Sequence, residues 1–276
     1  YRPVHVFPTE FRLDGKIFYA PPLGVFGRKL ETRVAFYVVD KDYSANLDQF
    51  FEYMDRVCQG MILAPLAQVS ACKADRLKKE HFILIDFGAT RTEIAVFRHS
   101  NLIDCRVLPG GGDDADEVLS KELGISRELA EDLKKNYGSV QESDLRDGRS
   151  VTVKRQALYR DVQRGQINRC LHGFYTDRLR AVRECLEELD ALRHMEGAVC
   201  IGAAAQLNGL PELLRQIVGL EALPVTAVMD GPGGSPGSFL GSSGMFRFPE
   251  SRYNFENTYR FSNKLWTRIK NIWEEY

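Results

Sequence analysis

Ile83, Leu84 and Ile85 form a continuous apolar run that stops on Asp86 and turns through Gly88, Ala89 and Thr90. It resumes as an alternation carried by Ile94 and Val96. Aliphatics followed by a two-residue period predict strand, tight turn, strand rather than helix. A third strand is expected at 102–108, ended by "PGGGDD" (109–114), which opens a helix. Upstream, "YRPVHVFPTEFRLDGK" reads as strand material and "VAFYVV" (34–39) as a buried strand. "NLDQFFEYMDRV" predicts a helix, with Leu47, Phe50, Phe51, Met54 and Val57 at helical spacing. A second helix is expected over 62–73, broken only by Pro65. "ISRELAEDLKKNYG" carries its own limits, with Ser126 as N-cap, acids early, lysines late and Gly138 as stop. After a polar loop and the short strand "VTV", 156–194 is predicted mostly helical. Leu158, Val162, Ile167, Leu171, Phe174, Leu179, Val182, Leu186 and Leu189 keep close to a 3.6-residue period. "GAVCIG" predicts another buried strand, 210–218 a helix and "ALPVTAVM" a last strand before the loop "DGPGGSPG". Strands on both sides of a long helical insertion predict an α/β fold, a mixed sheet with helices on its faces.

Composition narrows this little. A chain of 276 residues has room for two domains. Hydrophobic residues at 44% and aromatics at 11% exclude a disordered polymer. A net charge of −1 and a pI near 6.6 argue against a nucleic-acid binder. No apolar run reaches the roughly 20 residues of a spanning helix. The cysteines at 58, 72, 105, 170, 185 and 200 lie far apart with no C-x-x-C pair, which predicts no zinc site and a reduced, cytoplasmic setting. The chain opens on Tyr1 with no signal peptide before it, and the expectation is that it is the later part of a longer protein.

The first turn has chemical potential of its own. Glycine lets a backbone approach another group closely, and N–H groups with the hydroxyls of Thr90 and Thr92 can hold phosphate oxygens. Asp86 could sit near a magnesium ion. On that stretch alone, a merely solvated hairpin turn is the preferred reading. So is a solvated helix face for Glu131 and Lys134 alone, and a tight strand-to-helix turn fits Gly202, Ala203 and Ala204 equally.

Taken in order, the motifs resemble the actin-like ATPase superfamily and, within it, the bacterial cell-division protein FtsA family. "DFGATRTEIAV" is similar to the family's second phosphate loop on a hairpin, and "NLIDCRVLPGGG" to its third strand and glycine pair. "LAEDLKKNYG" resembles the family's "AExIK" helix, and "CIGAAAQLNGL" its adenosine loop. The stretch from "VHVFPTEFRLDG" to "VAF" is similar to the family-specific subdomain, and "SFLGSSGMFRF" to a late helix. The likeness runs from about Val4 to Phe248. Departures are visible too. The first phosphate loop does not appear, Arg91 and Glu93 stand in the second, and Ala203 replaces a glycine. Asp116 and Val118 occupy the usual Thr and Asp positions.

The resemblance implies an N-terminally truncated actin-like (ribonuclease H-like) fold with the family's extra subdomain and a C-terminal amphipathic helix. The remainder of the extra subdomain would cover 1–62, and helices returning to the first half 63–80 and 233–248. The second-half sheet would cover 81–125 and 195–232, a helical subdomain 126–194, and a linker with the membrane helix 249–276. ATP and Mg2+ are the implied cofactors, bound weakly or not at all by a chain with one phosphate loop. Asp86 would orient water on magnesium, Gly88, Ala89 and Thr90 would face the terminal phosphates, and Gly111 and Gly112 would approach ribose and phosphate. Glu131 and Lys134 would contact ribose and base, and Gly202, Ala203 and Ala204 would cradle the adenosine. The implied role is an actin-like, ATP-linked filament, at most a weak ATPase, tethering FtsZ to the cytoplasmic face of the inner membrane at the division site. Its partners would be the FtsZ C-terminal peptide, other copies of itself and an anionic membrane surface. Arg155, Arg160, Arg164, Arg169, Arg178, Arg180 and Arg183 would offer cations to that peptide. The membrane helix is predicted at 260–276. Phe261, Leu265, Ile269, Ile272 and Trp273 share one face, Trp266 flanks it, and Lys264, Arg268 and Lys270 reach toward headgroups. A PilM-like pilus-assembly adaptor and, further off, a sugar-kinase-type phosphotransferase are the competing readings.

Overall fold

The computed structural model describes residues 1–58, 60–72, 81–99, 101–155 and 158–224. They divide between two compact units, 1–72 and 81–224. The predicted membrane helix at 260–276, with Phe261, Lys264, Leu265, Trp266, Arg268, Ile269, Lys270, Ile272 and Trp273, lies outside the described residues. So does the glycine-rich loop.

The first unit is built on an antiparallel sheet of order β2-β1-β3, from β1 (Arg2–Leu13), β2 (Lys16–Phe18) and β3 (Leu30–Val39). β1 tolerates Pro3 and Pro8 because the register with β3 shifts just after each of them. A residue without an N–H fits a bulge better than a regular ladder. β1 turns into β2 through Asp14 and Gly15, both at positive φ, and the Asp14 carboxylate accepts the N–H groups of Arg28 and Lys29. These bonds hold its acid below the usual carboxylate range. The expected burial of 34–39 is not found. Phe36 and Val38 are exposed, and Val34, Ala35, Tyr37 and Val39 are half-buried. α1 (Lys41–Tyr53) starts five residues before the predicted segment. Asp40 caps it, accepting from the N–H groups of Asp42 and Tyr43, and that cap decides the start over the apolar spacing. α2 (Ala64–Ala71) is shorter than predicted and carries Pro65 in its first turn, where proline starts a helix rather than breaking one.

The second unit is a four-stranded sheet of order β6-β5-β4-β9: β4 (Phe82–Phe87), β5 (Arg91–Arg98), β6 (Asn101–Pro109) and β9 (Ala198–Ile201). The first three form the predicted antiparallel meander, and β9 joins β4 in parallel, with Ile201 opposite Asp86. α3 (Gly112–Leu123), α4 (Arg127–Tyr137), α5 (Arg164–Glu188) and α6 (Leu210–Val218) complete it. Its core joins Ile83, Ile85 and Ile94 of the sheet to Leu119, Leu133, Leu171, Leu179 and Leu214 of the helices. Of the predicted last strand, 222–229, the structure describes 222–224, where Ala222 bridges Ala198 in parallel; the rest lies outside the described residues.

Residues 158–163 are not the start of the long helix but a strand, β8 (Leu158–Gln163), paired with β7 (Ser150–Arg155). Leu158 and Val162 misled the reading because a spacing of four satisfies both a 3.6-residue helix and a two-residue strand. α5 begins at Arg164, and from there on Ile167, Leu171, Leu179, Val182 and Leu186 of the predicted stripe are buried while Phe174 and Leu189 are half-buried.

Candidate functional site

The parallel pairing of β4 with β9 brings two sequence-distant turns to one end of the sheet. β4 ends on Asp86 and Phe87 and leads into the Gly88–Thr90 turn, while β9 ends on Ile201 and leads into Gly202 and a short 3-10 turn, Ala203–Gln206. Gly202 adopts φ +88°, and a Cβ there would lie 2.3 Å from the Phe87 carbonyl oxygen and 2.8 Å from the Asp86 carboxylate. Only glycine combines that backbone angle with that approach.

α3 starts against the same turn. The Gly112 N–H donates to the Gly88 carbonyl at 2.9 Å, the Asp113 N–H to the Ala89 carbonyl at 2.8 Å and the Gly110 N–H to the Thr90 carbonyl at 3.1 Å. The Gly111 N–H is held by the Asp114 carboxylate at 2.7 Å. A Cβ on Gly111 would sit 2.4 Å from the Gly88 carbonyl oxygen. The first amides of α3 are therefore taken by the protein itself. The N–H groups of Gly88, Ala89 and Thr90 have no backbone acceptor among the described residues, and Ala89 and Thr90 are exposed. The Thr92 hydroxyl, which the sequence offers as a phosphate donor, points inward. It is fully buried and bonded to the Gly110 carbonyl at 2.9 Å. Arg91 and Glu93 pair with each other at 2.7 Å.

α4 brings Lys134 to the same end. Its Nζ lies 2.7 Å from the Gly112 carbonyl and 2.7 Å from the Asp116 carboxylate of α3, with side-chain exposures of 14% and 4% for the ion pair. Burial pushes the Asp116 acid above its ordinary value, opposed by Lys134. Glu131 faces outward instead and pairs with Lys135 one turn on, an exposed contact of small energetic weight. Burial pushes the Cys200 thiol up to about 12, which makes it a packing residue rather than a nucleophile. Asp86, Gly88, Ala89, Thr90, Gly111, Gly112, Lys134, Gly202, Ala203 and Ala204 thus all lie in this unit. Asp116 belongs with them, and its signal was an acid at the spacing of the buried stripe that Ala115, Leu119 and Leu123 form on α3.

The arginines of the helical segment are engaged within the molecule. Arg160 donates to the Leu123 carbonyl, Arg169 to Leu145, Arg178 to Pro109 and Arg183 to Ile217. Arg164 stacks on the Tyr137 ring, and Arg180 pairs with Asp177. The Arg155 side chain lies outside what the structure describes. Among the described residues no helix is long and apolar enough to cross a membrane.

Among solved structures the chain is similar to MreB5 of Spiroplasma citri bound to ADP, at 17% identity and a TM-score of 0.63 over 79% of this chain and 68% of that one. It is also similar to a PilM-PilN type IV pilus biogenesis complex, at 18% identity and a TM-score of 0.59 over 89% and 65%. At such identities the likeness shows the fold alone, and that fold is the actin-like class. The family model for Cell division protein FtsA matches residues 83–236, more than half of the chain, and the chain belongs to that family. The Streptococcus pneumoniae member is 30% identical over 218 residues, 77% of this chain and 47% of that protein. The chain spans about half the length of the curated relatives it matches.

Proposed function

We propose that the chain is the nucleotide-carrying and partner-facing part of an actin-like cell-division protein that binds ATP with magnesium, self-assembles and tethers FtsZ to the membrane. The parallel β4–β9 pairing carries the reading. It sets the Asp86 carboxylate, the amides of the Gly88–Thr90 turn, which have no backbone acceptor among the described residues, and the Gly202 turn at one sheet end. Those amides are donors suited to anionic oxygens, and the residues present fit a nucleotide. Gly88, Ala89 and Thr90 would receive the terminal phosphates, and Gly111 and Gly112 would approach ribose and phosphate. Lys134 would meet ribose and base, joined by Glu131 once it leaves its exposed pair with Lys135. Gly202, Ala203 and Ala204 would hold the adenosine, and Asp86 would orient water on the magnesium. When bound, the metal would offset the phosphate charge and polarise the terminal phosphoryl group. The family membership and the ADP-bound fold neighbour support this reading.

The FtsZ C-terminal peptide is assigned to the helical subdomain, 126–194, and the membrane to 260–276, at the cytoplasmic face of the division site. Most of the described arginines already donate to neighbouring carbonyls, and Arg180 and Arg183 pair with carboxylates. The peptide would therefore meet cations with part of their donor capacity used and gain from shape as well as charge. The test is cosedimentation with a peptide of the FtsZ C-terminus. Retention that disappears when Arg169 and Arg180 are both changed to Glu is the expected result. Unchanged retention removes this docking surface.

A further inference from the structure

We propose that Asn208 is a positioning residue that locks the Ala203–Gln206 turn to the end of α4. The two segments assigned to the nucleoside would then be held as one wall before any ligand arrives. The proposal rests on the nucleotide reading above.

The turn has little to hold itself. Its backbone bonds include Ala205 N–H to the Gly202 carbonyl and Leu207 N–H to the Ala204 carbonyl, in a single stretch of 3-10 geometry. Such turns are short and poorly bonded by nature. Two residues past the turn, Asn208 supplies what the turn lacks. Its side-chain amide nitrogen reaches Gln141 Oε1 at 2.8 Å, Asp144 Oδ2 at 3.1 Å and Ser139 Oγ at 3.3 Å. Its carbonyl accepts the Val140 N–H at 2.8 Å, and Ser139 and Asn208 form a parallel bridge. Ser139 follows directly on Gly138, where α4 stops, and is five positions beyond Lys134.

The far side of this lock is anchored in turn. The Ser139 hydroxyl donates to Asp144 Oδ2 at 2.7 Å, and its N–H donates to Asn168 Oδ1 at 3.0 Å. Asn168, on α5, returns a bond from its amide nitrogen to the Asp144 carbonyl at 3.0 Å. Ser139 and Asn168 are 5% and 2% exposed, so these bonds are shielded from water. Gly209 allows the approach, since it sits at φ +85° and a Cβ would lie 2.5 Å from the Gln141 backbone.

The residue type at 208 follows from donor arithmetic. Asp144 is acceptor-only when ionised, so the group opposite it must donate, and an asparagine amide does. A leucine would leave Asp144 short of a donor, and an aspartate would set two carboxylates together. A network of this kind is valuable only when every member is satisfied. A wall fixed in advance avoids the ordering cost that binding would otherwise carry.

The experiment measures hydrogen exchange and ADP affinity in the whole chain, well below its unfolding temperature, for the parent, Asn208→Asp, and Asn208→Asp combined with Asp144→Asn. The single variant should speed exchange at Ala203–Gln206, leave the β4 amides unchanged and weaken ADP by about tenfold. The swapped pair should recover a large part of both, since donor and acceptor exchange sides between 208 and 144 and the Gln141 amide can turn its NH2 toward the new carboxylate. Unchanged exchange at the turn overturns the lock. Faster exchange spread evenly over the unit also overturns it, because the role would then be general stability. If the parent takes up no ADP, the nucleotide reading fails, and the exchange arm decides the lock by itself.

Discussion

Lys134 Nζ and the Asp116 carboxylate lie 2.7 Å apart, and neither side chain keeps more than a small share of its surface in water. The pair ties α4 to α3 at the start of the latter helix, where Lys134 also bonds the Gly112 carbonyl. Removing one partner strands the other charge in a shielded place, and such losses cost about 3–5 kcal/mol. Lys134→Met should therefore lower unfolding free energy by that order in urea titrations. Replacing both, Lys134→Met with Asp116→Leu, should recover a large part of it. A single variant as stable as the parent would show that the pair is solvated.

Gly202 allows no side chain. Gly202→Ala adds a Cβ that meets backbone, with a left-handed angle that alanine resists. The expected cost is about 1–3 kcal/mol, together with displacement of the Gly88–Thr90 turn. Amide chemical shifts of that turn check it. A variant with parent stability and an unshifted turn contradicts the packing described.

His5 gives a pH dependence in the first unit. Its Nε2 accepts the Leu63 N–H at 3.2 Å, which requires the neutral ring, and burial lowers its pKa from 6.5 to about 4. The unfolded chain takes up this proton near 6.5 while the folded chain resists until about 4. Stability from His5 is thus complete above 6.5 and declines as the pH falls to about 4. The slope there is at most about 1.4 kcal/mol per pH unit. Thermal unfolding of the parent and His5→Leu across this range reads the difference. Parallel pH profiles would contradict it.

The proposed membrane segment is tested by flotation with anionic vesicles. Phe261, Leu265, Ile269 and Trp273 recur at four-residue intervals on one face, and each large apolar side chain buried contributes about 1.5–3 kcal/mol. Leu265→Glu and Trp273→Glu should each cut the bound fraction sharply. If both float as well as the parent, this segment is not the anchor.

Much of the second unit was legible because its signals are local. Ile83–Ile85 and Ile94–Phe97 alternate or run as strands must, and Ser126 and Gly138 bracket α4 as capping chemistry requires. β8 was misread because Leu158 and Val162 satisfy two periods at once, and pairing with β7 decides between them. At the site, the glycines declared themselves. The direction of Thr92, the partner of Lys134 and the bonds of Asn208 did not, since each depends on a residue between 18 and 69 positions away. Sequence names the residue types, and only packing says which of them face each other.

The Gly88–Thr90 turn and the Gly202–Ala204 stretch are proposed to form one side of an adenine-nucleotide site. The most direct measurement is hydrogen exchange of the chain with and without millimolar ADP and magnesium. Slowed exchange at Gly88–Thr90 and Ala203–Gln206, with the β1–β3 sheet unchanged, is the predicted result. Protection confined to other segments, or none at saturating ligand, would contradict it.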